Sequence, residues 1–315
     1  MKVCVTGAAG FIGSHVADAL SSCAEVTGVD DLSSGSLDNL DTSSCRLVQG
    51  SILDPDALAE ATSGVDAIVH LAARPSVPRS IADPAASHAA NATGTMMVLE
   101  AARAAGGAQV IVASSSSVYG ANPELPKHEG LVPQPMSPYA ASKLATEQYA
   151  LAWGHSYGLP VLPFRFFNVF GPRQAPGHAY AAVVPAFLHA ALRGEPVTVH
   201  GDGTQSRDFT YVGTVARTIA DAVQRRVTSD GPVNLAFGSR VTLLELLDRL
   251  EGVVGMAIER THTERRPGDV PHSQADSARL SSLFPDVTPV QLGDGLTETA
   301  AWMREYVAAA YGGLR

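Results

Sequence analysis

Residues 3–13, with the sequence Val-Cys-Val-Thr-Gly-Ala-Ala-Gly-Phe-Ile-Gly, decide the fold of this chain. The first half is apolar and β-branched, and the second half places Gly7, Gly10 and Gly13 directly before the largely apolar stretch 14–20. This pattern predicts a buried strand, a tight turn and a helix, which is the context that a dinucleotide-binding fingerprint requires. Gly7 permits the turn, Gly10 lets backbone N–H groups approach a pyrophosphate, and Gly13 lets the helix pack against the strand. The alternative is a purely structural strand-to-helix turn.

The acidic residue that follows the second predicted strand supports the dinucleotide interpretation. Residues 25–29 are typical of a strand, and Asp30 comes directly after them. A carboxylate about 20 positions past the glycine loop accepts hydrogen bonds from the adenosine ribose and repels a 2′-phosphate. We therefore expect the cofactor to be NAD rather than NADP.

Composition limits the classes of partner. The chain has 315 residues, of which 45% are hydrophobic and 17% charged, and its net charge of -9 argues against binding to nucleic acid or an anionic membrane. Cys4, Cys23 and Cys45 lack metal-ligand spacing and are typical of a reducing compartment. No apolar run reaches the ~18 residues of a membrane helix. We expect a cytoplasmic protein without a bound metal.

Strand and helix patterns alternate through the first half of the chain, which predicts an α/β fold with a doubly wound parallel sheet of the Rossmann type. After residue 166 the pattern loosens, and loops rich in glycine and proline interrupt short apolar segments. We predict that residues 1–166 bind the dinucleotide, and that 207–237 return to the same domain. Residues 167–206 and 238–315 are then expected to form a smaller mixed α/β lobe that binds the substrate.

A tyrosine and a lysine four residues apart are the second anchor of the interpretation. Tyr139 and Lys143 would share one face of a helix that begins near Tyr139, so that phenol and ammonium point into the same space. A free tyrosine has a pKa of ~10, and a neighbouring cation favours the phenolate that can act as a base. The alternative is an ordinary pair on a helix surface.

Taken in order, these motifs resemble the extended short-chain dehydrogenase/reductase family, in its NAD-dependent nucleotide-sugar epimerase/dehydratase branch. The resemblance covers essentially the whole chain. It rests on Gly7-x-x-Gly10-x-x-Gly13, His70-Leu71-Ala72-Ala73, Asn91, Ser114–Gly120, Tyr139-x-x-x-Lys143 and residues 165–174, Arg-Phe-Phe-Asn-Val-Phe-Gly-Pro-Arg-Gln.

The resemblance implies a set of site residues. The implied catalytic group is Ser115, Tyr139 and Lys143, with the serine and tyrosine acting on the sugar O4. The implied cofactor contacts are Gly7, Gly10, Phe11, Ile12, Gly13, Asp30, Ser51, Ile52, Leu71, Ala72, Ala73, Asn91, Tyr139 and Lys143. The implied substrate contacts are Ser115, Ser116, Asn168, Arg207, Arg266 and Ser273, the two arginines serving the diphosphate. Ser51 departs from the family, which often has Asp there, and the lost contact to adenine would cost about 1 kcal/mol.

Two serines after Ser115 narrow the reaction that the resemblance implies. Relatives that dehydrate or decarboxylate their 4-keto intermediate carry carboxylates at the positions of Ser116 and Ser117. A hydroxyl cannot replace these groups as an acid or base near neutral pH, whereas a 4-epimerase needs no further group. We therefore predict an isomerase, a 4-epimerase of the UDP-glucose/UDP-galactose type. The alternatives are a 4-epimerase for UDP-N-acetylhexosamine or UDP-glucuronic acid, a 4-reductase, and a non-catalytic NAD-sensing module.

The sugar and the assembly follow from the resemblance more loosely. Ser273 occupies the position at which relatives carry a residue beside the sugar, and a small side chain there leaves room for an acetamido group. The helices expected at 91–105 and 139–155 match those that form a four-helix bundle between subunits in this family. Apolar Met97, Leu144, Leu151 and Trp153 on these helices make a homodimer the expected assembly.

Overall fold

The computed structural model describes residues 1–176, 182–264 and 271–312. Its strands are β1 (Lys2–Thr6), β2 (Glu25–Asp30), β3 (Cys45–Gln49), β4 (Ala67–His70), β5 (Gln109–Ser115), β6 (Val161–Phe166), β7 (Asn168–Phe170), β8 (Val197–His200), β9 (Ser206–Arg207), β10 (Phe209–Tyr211), β11 (Val233–Leu235), β12 (Val241–Thr242) and β13 (Arg260–Thr263). Its helices are α1 (Phe11–Ser21), α2 (Pro55–Ala61), α3 (Val77–Ala82), α4 (Pro84–His88), α5 (Gly94–Ala104), α6 (Pro138–Tyr157), α7 (Val183–Leu192), α8 (Val212–Gln224), α9 (Leu243–Val254), α10 (Ala278–Leu283) and α11 (Leu292–Tyr311).

Among the described residues, seven parallel strands form the central sheet in the order β11-β6-β5-β4-β1-β2-β3. Alternate residues of β1 face opposite sides, so Val3 and Val5 join one apolar core while Cys4 joins the other. Helices α1 and α8 cover the first face, and α2, α5 and α6 cover the second. This is the doubly wound α/β fold that the sequence predicts. The strand order reverses between β1 and β4, where such sheets bind their ligands.

A further apolar core lies mainly in the residues predicted to form the smaller lobe. Helices α7, α9 and α11 enclose it, with Phe187, Leu247 and Met303 among its buried side chains. Short two-stranded sheets, β7 with β10, β8 with β13 and β9 with β12, border this lobe. Strand β11 pairs with β6 of the central sheet, and α8 packs on α1. The division into a dinucleotide domain and a substrate lobe stays a prediction.

Local bounds differ from the sequence expectation at three places. The apolar run at 66–73 predicts one strand, but β4 ends at His70, so Leu71–Ala73 lie in the loop beyond it. The helix expected at 91–105 begins as one wide turn, Ala89–Thr93, before α5. The pattern at 209–224 predicts one helix, but Phe209–Tyr211 forms β10 because it pairs with Asn168–Phe170. Among the described helices, none is both long and apolar enough to cross a bilayer.

Candidate active site

The glycine loop between β1 and α1 is shaped for close approach by a phosphate. Gly7 has φ +71°, and a Cβ there would lie 2.7 Å from the backbone nitrogen of Ala72. A Cβ on Gly13 would lie 1.9 Å from the Gly7 carbonyl oxygen, so the helix can start here only if that residue is glycine. Helix α1 begins after Gly10 without a side-chain cap from the described residues. The first N–H groups of α1, from Phe11 onwards, therefore identify the loop as a candidate anion-binding site.

Asp30 ends β2 beside this loop and is 8% exposed. Its carboxylate accepts hydrogen bonds from the N–H of Ala9, at 2.9 Å, and of Leu32, at 2.8 Å, one on each oxygen. Each carboxylate oxygen keeps a second lone pair, which fits the hydroxyl donors of a ribose. Burial raises the pKa of this carboxyl, and the two N–H donors act against that rise. Asp30 thus shapes the glycine loop as well as offering acceptors, a double role that sequence reasoning missed.

The segment after β4 closes the other side of the loop. Thr6 Oγ1 accepts hydrogen bonds from the N–H of Leu71 and of Ala72, both at 3.2 Å. Both acceptor positions of the hydroxyl are then filled, so its proton points to Nδ1 of His70, 2.8 Å away. The other ring nitrogen of His70 lies 3.0 Å from Thr95 Oγ1. Burial lowers the pKa of this histidine to about 3, which keeps the imidazole neutral.

Three further predicted cofactor contacts are engaged with the protein itself. Ser51 Oγ accepts from the N–H of Leu53, at 3.2 Å, and the neighbouring Ile52 packs into the core against Gly94. Asn91 is 1% exposed; its Oδ1 accepts from the N–H of Arg74, at 2.7 Å, and its Nδ2 donates to Ser142 Oγ, at 2.9 Å. Asn91 therefore ties the loop after Ala73 to α6. Direct contact of these residues with the cofactor stays a prediction.

The three predicted catalytic residues lie together, where β5 ends and α6 begins. Strand β5 ends at Ser115, whose hydroxyl is close enough to the phenol of Tyr139, in the first turn of α6, to lower the pKa of that phenol. Ser137 caps this helix by accepting from the N–H of Ala140, at 3.1 Å. One turn later, Lys143 Nζ donates to the carbonyl oxygen of Ala113, at 2.8 Å. Phenol, hydroxyl and ammonium thus share one small site at the carboxyl edge of the sheet.

The electrostatics of the protein alone differ from the simple picture of a lysine that activates a tyrosine. Burial raises the pKa of the Tyr139 phenol, and the hydrogen bond with Ser115 acts in the opposite direction. Burial lowers the pKa of Lys143 to about 8, and its ammonium is directed at a carbonyl oxygen. Among these contacts, the support for a phenolate is therefore the Ser115 hydroxyl rather than a direct ion pair with Lys143.

A buried ion pair below these residues was missed by sequence reasoning. Glu147 is 0% and Arg165 2% exposed, and two hydrogen bonds of 2.6 and 2.9 Å join the guanidinium to the carboxylate. Ser114 Oγ lies 2.8 Å from the same carboxylate and 3.1 Å from the Lys143 carbonyl oxygen. The pair thus fixes α6 to the ends of β5 and β6. Its only sequence signal is the spacing Tyr139, Lys143, Glu147, one residue per turn on one helix face.

The predicted substrate residues divide between a cavity and its border. Asn168 and Arg207 line a cavity of about 250 Å³, together with Gln174, His200 and Gln205. Arg207 donates to the carbonyl oxygens of Ser206, at 2.9 Å, and Pro271, at 3.2 Å. Ser273 is partly buried, and its N–H donates to the Ser206 carbonyl oxygen, at 3.0 Å. Ser116 lies in the turn after β5, and Arg266 lies outside the described residues.

Solved structures and curated proteins resemble this chain over nearly its whole length. The UDP-glucose 4-epimerase of Mycolicibacterium smegmatis is 37% identical and covers 96% of this chain and 99% of its own. The structure of the UDP-N-acetylglucosamine 4-epimerase of Methanobrevibacter ruminantium M1, in complex with UDP-N-acetylmuramic acid, matches with 37% identity and a TM-score of 0.92, covering 97% of this chain and 98% of its own. The Thermus thermophilus UDP-glucose 4-epimerase, in complex with NAD, matches with 35% identity and a TM-score of 0.87, covering 96% and 99%.

The family model described as "NAD dependent epimerase/dehydratase family" matches residues 3–236. That range includes the glycine loop, Asp30 and the cluster of Ser115, Tyr139 and Lys143, so the match and the site geometry concern the same residues. The expectations of an enzyme with NAD as its cofactor are confirmed. This chain belongs to the NAD-dependent epimerase/dehydratase family.

Proposed function

We propose that this enzyme interconverts the two C4 epimers of a nucleotide-diphosphate hexose of the UDP-glucose/UDP-galactose type. The observation that carries the proposal is the neighbourhood of Ser115: Tyr139 and Lys143 are in place, and the two positions after the catalytic serine hold hydroxyls instead of carboxylates. The names of the similar proteins support the substrate class.

In the proposed reaction Tyr139 takes the proton of the sugar 4-hydroxyl while Ser115 donates a hydrogen bond to the same oxygen. NAD, when bound, supplies the acceptor for the hydride from C4 and later returns it. Tyr139 gives its proton back when the transient 4-ketone is reduced on its other face. Ser116 and Ser117 lack the acidity and basicity to expel water from the neighbouring carbons, so the ketone has no other outcome in this site.

The smaller lobe is proposed to hold the nucleotide diphosphate. Arg207 and Asn168 face the same cavity, and a guanidinium fork matches phosphate oxygens in pairs. We assign Arg266 to the same diphosphate from the resemblance alone. In this arrangement residues 1–166 and 207–237 form the domain that binds NAD, and residues 167–206 and 238–315 form the lobe that binds the sugar nucleotide, with Arg207 at the boundary between them and directed to the diphosphate.

A UDP-N-acetylhexosamine is the second candidate substrate. The Methanobrevibacter relative, named for UDP-N-acetylglucosamine, matches this chain as well as the UDP-glucose enzymes do. Ser273 is small, and its backbone is held beside Arg207 through the Ser206 carbonyl oxygen. If its side chain borders the sugar, an acetamido group fits where a tyrosine would exclude it. UDP-glucuronic acid is the third candidate.

We also propose a cytoplasmic homodimer. The free cysteines Cys4, Cys23 and Cys45 suit a reducing compartment. Helices α5 and α6 pack side by side, and α6 carries the aromatic residues Tyr149 and Tyr157, 36% and 56% exposed.

Two measurements test the proposed function. The purified enzyme is assayed against UDP-glucose, UDP-N-acetylglucosamine, UDP-glucuronic acid and dTDP-glucose, with the C4 epimer detected directly. Its absorbance spectrum is recorded for retained NAD(H), since an overall redox-neutral reaction recycles the cofactor in place. Turnover of UDP-glucose without added cofactor supports the proposal. Conversion that consumes a stoichiometric amount of reduced cofactor would instead identify a 4-reductase, and no turnover with intact NAD binding would identify a sensing module.

A further inference from the structure

Ser117 makes two hydrogen bonds to the proposed catalytic hydroxyl. Its backbone N–H donates to Ser115 Oγ, at 3.2 Å, and its side-chain Oγ donates to the same atom, at 2.9 Å. Ser117 lies in the short turn Ser116–Tyr119, which Ser115 caps at the end of β5. The backbone bond is an ordinary helix cap, whereas the hydroxyl bond is an addition that the cap does not require.

These two bonds determine the direction of the Ser115 proton. A serine hydroxyl has one donor and two acceptor positions, and Ser117 occupies both acceptor positions. The single proton of Ser115 must then be donated away from Ser117, and the neighbouring Tyr139 phenol, whose pKa the Ser115 hydroxyl lowers, is the available acceptor. Ser115 can accept a hydrogen bond from the phenol only by giving up one of the two bonds from Ser117.

We propose that Ser117 is a positioning residue that keeps Ser115 a hydrogen-bond donor, to the Tyr139 oxygen before the sugar binds and to the sugar O4 afterwards. The proposal rests on the proposed 4-epimerase function and deepens it. A donor stabilises a phenolate, and an acceptor would stabilise the neutral phenol, so fixing the proton favours the form of Tyr139 that acts as a base. The same hydroxyl at this position therefore does more than replace a dehydratase carboxylate.

The test compares Ser117→Ala with Ser117→Thr. Alanine keeps the backbone cap and removes only the hydroxyl bond, so we expect kcat to fall about 3- to 10-fold, the effect of one hydrogen bond. The acid limb of the kcat profile should move to higher pH, while KM, bound NAD and the unfolding midpoint stay within experimental error. Threonine, which keeps the hydroxyl, should restore both kcat and the pH profile. Ser21→Ala is the matched control, because this hydroxyl donates to the Asp18 carbonyl oxygen at the far end of α1.

A double-mutant cycle separates this role from a general structural one. In the Ser115→Ala background, Ser117→Ala should have no further effect, because its target atom is gone. An equal loss in both backgrounds, or a lower kcat with an unchanged pH profile, would overturn the proposal.

A titration independent of turnover keeps the inference distinct from the proposed function. The ultraviolet absorbance of the phenolate, taken as the difference between the parent and its Tyr139→Phe variant, reports the ionisation of Tyr139 in the NAD-bound enzyme. Ser117→Ala should shift this titration to higher pH even if no sugar nucleotide is turned over. If the titration is unchanged, Ser117 does not act on Tyr139, whatever the substrate proves to be.

Discussion

At the scale of single residues, Tyr139 is the group on which the proposed chemistry depends. Burial opposes ionisation of the phenol by raising its pKa, and the Ser115 hydroxyl favours ionisation by lowering the pKa. Replacing Tyr139 by Phe removes the base but keeps the ring that packs at the start of α6. We expect the fold and NAD binding to persist and turnover to fall by about two orders of magnitude or more. Steady-state kinetics and NAD quantification check this, and a rate near that of the parent would remove Tyr139 from its assigned role.

Asp30 provides the second prediction at this scale. Its buried carboxylate should repel a 2′-phosphate, so NAD should bind far more tightly than NADP. Asp30→Asn removes the charge. It also places an amide nitrogen, which cannot accept a hydrogen bond, opposite the N–H of either Ala9 or Leu32, each of which has an acceptor oxygen in the parent enzyme. We expect it to weaken NAD binding about 10-fold, equivalent to ~1.4 kcal/mol, and to narrow the preference over NADP. Calorimetric titration measures both affinities; equal affinities for the parent enzyme would contradict the assignment.

At the scale of elements, α6 combines catalytic and structural residues on one face. Tyr139 and Lys143 face the site, and Glu147 one turn later joins Arg165 and Ser114 in the interior. The ion pair costs desolvation energy, but it holds the helix at a fixed height against β5 and β6. Ser114, next to Ser115, is hydrogen-bonded to Glu147, which lies on the same helix face as Tyr139. This contact keeps the phenol opposite Ser115.

Breaking that ion pair should destabilise the whole domain. Glu147→Gln leaves the Arg165 guanidinium as an uncompensated charge at 2% exposure, and we expect the free energy of unfolding to fall by about 3–5 kcal/mol. The double variant Glu147→Leu with Arg165→Met should recover much of this loss, because no buried charge remains. Urea denaturation measures both variants. A loss below about 1 kcal/mol for Glu147→Gln would show that the pair is not needed to hold α6.

At the scale of the whole molecule, an exposed aromatic ridge on α6 supports the proposed dimer. The ring centroids of Tyr149 and Trp153 are 5.8 Å apart, and those of Trp153 and Tyr157 are 5.6 Å apart. Trp153 also donates to Glu100 on α5, at 2.7 Å, which joins the two helices into one surface. Rigid aromatic surfaces of this kind are enriched in protein interfaces.

We expect light scattering at micromolar concentration to give twice the 32.7 kDa mass of the chain. Tyr149→Glu with Tyr157→Glu places charges on the exposed ridge and should yield a monomer that keeps its secondary structure, with Tyr311→Glu, 52% exposed near the end of α11, as the control. A monomeric parent enzyme would end the proposal. A dimer that withstands the double substitution would place the interface elsewhere.

Most of the central sheet could be predicted from the sequence because its signals are local. The glycine pattern after β1, the carboxylate after β2 and the buried runs of β4 and β5 each lie within a few consecutive residues. The start of β10 was not predictable in this way, since Phe209–Tyr211 is a strand only through its pairing with β7, about 40 positions earlier. The wide turn at Ala89–Thr93 likewise depends on Asn91 reaching Arg74 and Ser142.

The residue types of the site and their spacing can be read from the amino-acid sequence alone: the three glycines, Asp30, and Tyr139 with Lys143 one helical turn apart. The packing of strands and helices sets which partner each polar group meets. It turned Lys143 to a carbonyl oxygen, buried Glu147 against Arg165, gave Asp30 the N–H of Ala9 and aimed the Ser117 hydroxyl at Ser115. The physical reason is that spacing along one helix or strand fixes a direction. A hydrogen bond or ion pair also needs the position of a second element, and that position is set by packing of the whole core.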